Sequence, residues 1–304
     1  MEPAREKRAA GRANPAIELN EVTVSYDGGR PVLAGVTLSI EPGNLIAVAG
    51  PNGAGKTTLF KAILGIARPQ SGWVRVMGKE PRHARRHVAY IPQREQVDWH
   101  FPLRAVDVVM MGRVNHIGWR LAPRRIDVQA VESAMRQVGM WELRQSPIDE
   151  LSGGQRQRLF IARALAGEAP ILLLDEPFNE VDAATQALLL DLFESLAARG
   201  HTVIVTLHDL EVARRRFPYI LFLNRTVVGY GPASQVFNAA VLQQTYLSQV
   251  VKWEAGDQQE PGGRDARGSD EFESRGPGSP ALAGRGPGAG AAPVPDGSGP
   301  APRT

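Results

Sequence analysis

Three short stretches of the chain are apolar at every position: Leu45-Ile46-Ala47-Val48-Ala49, Ile171-Leu172-Leu173-Leu174 and Val203-Ile204-Val205. A half-exposed strand alternates, so a run without polar interruption predicts strands covered on both faces, as in a parallel sheet. Ile17 to Tyr26 alternates only in part and reads as a half-buried strand. Asp27-Gly28-Gly29 marks a turn after it, and Val36-Thr37-Leu38-Ser39-Ile40 a second strand. Between these lie segments with helical spacing, at about Lys56–Gly65, Arg124–Val138, Gly154–Ala166 and Ala184–Ala198. Strands and helices in alternation predict an α/β sheet with crossover helices. The stretch from about Arg94 to Leu151 is helical and strand-poor, which predicts a helical subdomain inserted into that sheet.

Composition trims this picture at both ends. From Ala255 to Thr304 the chain holds 12 Gly and 8 Pro, a share above the roughly 25–30% at which an aperiodic mixture cannot build a core. The folding part is therefore expected over residues 16–253. A flexible segment precedes it at 1–15, and a Gly/Pro-rich disordered tail follows at 254–304. The absence of cysteine excludes a disulfide framework, a Cys-based metal site and thiol catalysis. The N-terminus (Met1, Arg5, Lys7, Arg8, Arg12) lacks the apolar core of an export signal, and no apolar run approaches the ~20 residues needed to span a bilayer. A net charge of +3 is too small to argue for nucleic acid. The arginine clusters at Arg82/Arg85/Arg86, Arg124/Arg125 and Arg214–Arg216 read as solvated helix faces.

The first buried run leads into Gly50-Pro51-Asn52-Gly53-Ala54-Gly55-Lys56-Thr57-Thr58, which fits G-x-x-x-x-G-K-[ST] with a strand before it and a helix after it. Glycines let backbone N–H groups turn inward around a triphosphate, and the helix start adds its positive end. Lys56 then supplies a point charge to the β- and γ-phosphates, and the Thr57 hydroxyl is placed to ligate Mg²⁺. The second buried run ends in Asp175-Glu176. A hydrophobic strand ending in Asp is how P-loop enzymes hold the magnesium shell, so Asp175 takes that role. Glu176, one residue on, is the candidate general base for an attacking water.

Leu151-Ser152-Gly153-Gly154-Gln155 opens another helix, with Ser152 as a good N-cap. This is a second phosphate-reading helix end in a chain with one nucleotide cradle. It implies service to a second subunit's nucleotide, while an ordinary capped helix is the simpler alternative.

Taken together, these motifs resemble the ATP-binding subunits of ABC transporters over about residues 16–250. The resemblance implies an α/β P-loop NTPase core with a parallel sheet, an N-terminal antiparallel β subdomain and an inserted α-helical subdomain at about 94–151. It also implies roles residue by residue. Tyr26 stacks on adenine. Gln93, in Tyr90-Ile91-Pro92-Gln93, links the magnesium to the membrane partner. His208, in Leu207-His208-Asp209, contacts the γ-phosphate, and Asp182 lies in the loop crossing the dimer interface. Ser152, Gly153, Gly154 and Gln155 of one subunit meet the nucleotide held by residues 50–58 of the other. The implied catalytic set is Glu176, His208, Lys56 and Gln93. Thr57, Gln93 and Asp175 serve the metal of Mg-ATP.

The segment after Gln93 is similar to the importer branch for manganese, zinc or iron, on Val97-Asp98-Trp99, Phe101-Pro102, Gly112-Arg113 and Gly118-Trp119. That likeness implies a homodimeric ATPase at the cytoplasmic face of the cell membrane. Its partners would be integral permease subunits and, indirectly, an extracytoplasmic metal-binding protein, with no nucleic acid. Importers of an iron chelate, haem or cobalamin look alike here, and a soluble cluster-assembly ATPase is the remaining alternative. Phe178-Asn179-Glu180-Val181-Asp182 departs from the branch, which tends to carry small residues where Asn179 and Glu180 stand. His83 and His87, four apart, stand among Arg82, Arg85 and Arg86 with no carboxylate in the segment, which argues against a metal site there.

Overall fold

The computed structural model describes residues 14–26, 28–93, 102–120, 122–179 and 181–246. The N-terminal segment, the tail, Asp27, Glu180 and most of the segment after Gln93, with Val97-Asp98-Trp99 and Phe101, lie outside the described residues.

The strands are β1 (Ile17–Val24), β2 (Leu33–Ile40), β3 (Leu45–Ala49), β4 (Ser71–Val76), β5 (Val88–Ile91), β6 (Ile171–Leu174), β7 (Thr202–Thr206), β8 (Tyr219–Asn224) and β9 (Thr226–Pro232). The helices are α1 (Lys56–Ile63), α2 (Pro81–Ala84), α3 (Ala105–Met110), α4 (Val114–Ile117), α5 (Arg125–Gln137), α6 (Gly153–Ala166), α7 (Ala183–Ala198), α8 (Leu210–Arg216) and α9 (Ala233–Val236). Two sheets form: an antiparallel one in the order β2-β1-β4, and a six-stranded one in the order β5-β6-β7-β3-β8-β9. In the larger sheet every pairing is parallel except β8 with β9.

The three continuous apolar runs became β3, β6 and β7, adjacent at the centre of the large sheet. Their residues divide by pleat between two cores. Leu45, Ala47, Ala49, Leu172, Leu174, Val203 and Val205 join the core that includes α5, α6 and α7. Ile46, Val48, Ile171, Leu173 and Ile204 join the core beneath α1 and the small sheet. That double burial is why no polar residue interrupts them.

The partial alternation of β1 has a specific cause. Ile17 and Leu19 are buried, the register slips, and Val22 and Val24 are buried after it. One extra residue, with Glu21 at φ 49°, restores the apolar face. Gly72 lies against this bulge, where an added Cβ would meet the Asn20 carbonyl oxygen at 2.2 Å.

α3 and α5 pack on α6, which also touches β5. Gly112 allows the turn before α4 to lie on α6, since a Cβ there would come 2.1 Å from the Arg163 carbonyl oxygen. Next to it, Arg113 is buried. It donates to Asp127 Oδ1 on α5 at 3.0 Å and to the Ala166 carbonyl at the end of α6 at 2.8 Å, and it pairs with Glu168 at 2.8 Å. Gly112 and Arg113 thus serve the interior of the subdomain, whereas Trp119 is fully exposed. Among the described residues no helix is long and apolar enough to cross a membrane.

Candidate active site

β3 delivers the chain into the glycine loop. An added Cβ at Gly50 would lie 2.1 Å from the Leu223 carbonyl oxygen, so only glycine lets the loop leave the sheet there. Gly55 has φ +99°, with Leu33 2.7 Å from where a Cβ would stand. The loop is tied to its own turn by Ala54 N–H to the Pro51 carbonyl at 3.1 Å. Arg225 N–H, donating to the Ala54 carbonyl at 2.8 Å, ties it to the β8–β9 hairpin. The N–H groups of Gly53 and Gly55 have no hydrogen-bond partner among the described residues. A cavity of about 180 Å³ opens over them, lined by Val32, residues 52–58 and Glu176. Roomier depressions of about 240 and 350 Å³ lie away from the loop. The unpartnered N–H groups, not volume, mark the anion site.

Lys56 is buried, and its Nζ donates to the carbonyls of Gly50 at 2.9 Å and Pro51 at 3.4 Å. Burial lowers the pKa of its ammonium, and the carboxylates of Glu176 and Asp175 pull it partly back.

Asp175, at the end of β6, is buried and saturated with donors. Thr206 Oγ1 donates to Oδ1 at 2.7 Å, and Thr57 Oγ1 and Tyr90 Oη to Oδ2 at 2.8 and 3.4 Å. The half-buried Tyr90 hydroxyl is driven well above its ordinary pKa, by desolvation first and by the Asp175 charge second. Thr57 and Asp175 thus set two hard oxygens side by side at the cradle, a donor set that suits Mg²⁺.

Glu176 follows with φ +51°, a left-handed conformation uncommon for a side-chain-bearing residue. Its N–H donates to Thr206 Oγ1 at 2.8 Å. Its carboxylate gathers three groups: His208 Nε2 lies 2.6 Å from Oε1, while Gln93 Nε2 and Asn179 Nδ2 donate to Oε2 at 3.1 and 2.8 Å. Tyr26 is half exposed beside the cradle, with its hydroxyl 3.4 Å from Thr58 Oγ1. Lys56, Thr57, Thr58, Asp175, Glu176, Gln93, His208 and Tyr26 therefore converge on one place.

Ser152 to Gln155 and Asp182 do not join them: no hydrogen bond links them to that cluster, and none of them lines the cavity. Ser152 caps α6 in a reciprocal box, Gln155 N–H to Ser152 Oγ at 3.4 Å and Ser152 N–H to Gln155 Oε1 at 2.8 Å. Asp182 caps α7 through Thr185 N–H at 2.8 Å and Thr185 Oγ1 at 3.0 Å, bonds that hold its carboxyl below the usual range. Gly154 is open, a Cβ there meeting only Thr185 Oγ1 at 4.0 Å.

The ABC transporter family model matches residues 33–179. The manganese transport system ATP-binding protein MntB of Halalkalibacterium halodurans is 41% identical over 245 residues, 81% of this chain and 97% of that protein. The zinc transport system ATP-binding protein TroB of Treponema pallidum is 42% identical over 235 residues, 77% of this chain and 88% of that protein. The chain belongs to the ABC transporter family. Members of the family hydrolyse ATP to power transport, and this ABC ATPase shares their cassette fold. A dimeric structure of a bacterial ABC transporter cassette superposes with a TM-score of 0.64 at 27% identity, covering 71% of this chain and 98% of that one.

Three groups of this ABC ATPase's site carry no sequence motif of their own. Thr206 ends a buried strand and bonds both members of the acidic pair. Tyr90 reaches Asp175 from β5. Asn179 reaches back over its own turn. Polar ends on otherwise apolar strands, Thr206 before Leu207 and Tyr90 before Ile91, were the available signal for the first two.

Proposed function

We propose that this ABC ATPase is the ATP-hydrolysing subunit of an importer for a transition metal ion: manganese, zinc or iron. The observation that carries the reading is the identity above 40% to a manganese and a zinc transport subunit, over nearly the full length of each.

In this reading the N–H groups of the glycine loop and Lys56 hold the β- and γ-phosphates, and Tyr26 supplies a ring for the adenine. Thr57, Asp175 and Gln93 would hold the Mg²⁺ of Mg-ATP, which neutralises phosphate charge when bound. Glu176 accepts the proton of the attacking water. His208, hydrogen-bonded to Glu176, is placed to steady the transferred phosphoryl group. Ser152, Gly153, Gly154 and Gln155 stand apart from the chain's own cradle, which supports a homodimer in which they complete the partner copy's site. Thr185, bonded to Asp182, has its hydroxyl beside Gly154, so Asp182 belongs to that same edge. The assembly works at the cytoplasmic face of the cell membrane, docked on permease subunits fed by an extracytoplasmic metal-binding protein.

Cellular uptake of labelled Mn²⁺, Zn²⁺ and iron with Lys56→Ala in place of the wild type tests the reading. Loss of uptake of one metal names the cargo. Unchanged uptake of all three, with ATP binding lost in the purified variant, keeps the ATPase assignment and transfers the cargo to organic chelates.

A further inference from the structure

Asn179 sits three residues beyond Glu176 and closes the turn between them. Its N–H bonds the Glu176 carbonyl at 3.3 Å, and its side-chain amide bonds the Glu176 carboxylate at 2.8 Å. The other two groups on that carboxylate come from distant segments: Gln93 follows β5, and His208 follows β7. Oε2 therefore has one donor that travels with Glu176 itself and one that depends on how the chain beyond β5 is placed. The last torsion of a glutamate is broad when nothing holds it. A donor fixed to the same turn removes that freedom without relying on any other part of the molecule. The Asn179 side chain is exposed and has no other hydrogen-bond partner among the described residues, so its amide serves no core contact.

We infer that Asn179 is a positioning residue for ATP hydrolysis, anchoring one carboxylate oxygen of Glu176 so that the carboxylate meets the attacking water in a single orientation. This rests on the reading of Glu176 as general base. Because the effect is on orientation, it belongs to turnover and not to nucleotide binding: a small misplacement of a reacting group costs on the order of 10–100-fold in rate.

The test compares Asn179→Ala, Asn179→Asp and Glu176→Gln in the purified protein, with steady-state ATP hydrolysis and fluorescent-nucleotide binding measured on each. Aspartate matches asparagine in size and favours the same turn, but it brings an acceptor in place of a donor and a like charge beside Glu176. Asn179→Ala is expected to lower kcat about tenfold, with KM for ATP within about twofold. Asn179→Asp is expected to fall at least as far. If Asn179→Asp turns over like the wild type, the residue only shapes the turn and the inference is overturned. A rise in KM with kcat unchanged overturns it equally. If Glu176→Gln keeps full hydrolysis, the base assignment itself fails, whatever the Asn179 variants do.

Discussion

Glu176→Gln should lower ATP turnover of the purified protein by roughly 10²–10⁴-fold, the usual weight of a general base, while nucleotide binding survives. Glutamine has the same length and keeps a carbonyl oxygen able to accept from Asn179 or Gln93, so the local bonds at 2.8 and 3.1 Å have a replacement. What it lacks is basicity. The cradle itself is built from residues 50–58, with Lys56 held by its own loop carbonyls, and none of those bonds involves Glu176. Phosphate release measured beside nucleotide affinity separates the two functions. Turnover within about threefold of wild type would remove Glu176 from the chemistry and leave water activation to another group.

Arg113→Ala should lower the melting temperature by roughly ten degrees, the largest stability loss expected from a single residue outside the glycine loop. The guanidinium is 3% exposed and Asp127 2%, and the arginine also carries the Ala166 carbonyl and Glu168. Truncation deletes the hub and leaves a buried carboxylate whose remaining donor is the Arg124 N–H at 2.9 Å. The damage should be partly relieved in an Arg113→Ala, Asp127→Asn double variant, because the stranded charge is gone. Thermal unfolding of the three proteins checks this. A single variant that melts within two degrees of wild type would show that the pair contributes geometry and no net stability.

How much of this was readable beforehand depended on whether the information was local. Leu45–Ala49, Ile171–Leu174 and Val203–Val205 announce buried parallel strands because each face of each strand meets its own core. The glycine loop is legible because its chemistry is contiguous. No sequence pattern named above marks β4, β5, β8 or β9. β5 is four residues long with three of them only half buried, and β9 is an edge strand of half-buried residues, so neither shows a clean period. β4 hides only Val74 and Val76 and exposes Trp73. Asn179 illustrates the other limit. In the sequence it is a departure from small residues, and only the folded turn shows its amide on the Glu176 carboxylate. Arg113 likewise enters the sequence only as half of a Gly-Arg cue, and the fold alone shows it held by Asp127 of α5 and by Ala166 and Glu168 at the end of α6.

Glu176 stands at φ +51°, and that backbone has an evolutionary cost as well as a mechanical one. Glycine is the residue such a conformation favours, and a side chain there gives up about 1 kcal/mol. Comparing Glu176→Gly with Glu176→Ala removes the carboxylate from both and leaves only the backbone preference. The glycine variant should melt about 2–4 °C higher. Selection for durability alone would therefore drive this position toward glycine and an inert protein. Under the proposed reading of Glu176 as general base, the side chain exchanges robustness for turnover, and stabilising substitutions sought elsewhere in the chain should leave this residue untouched.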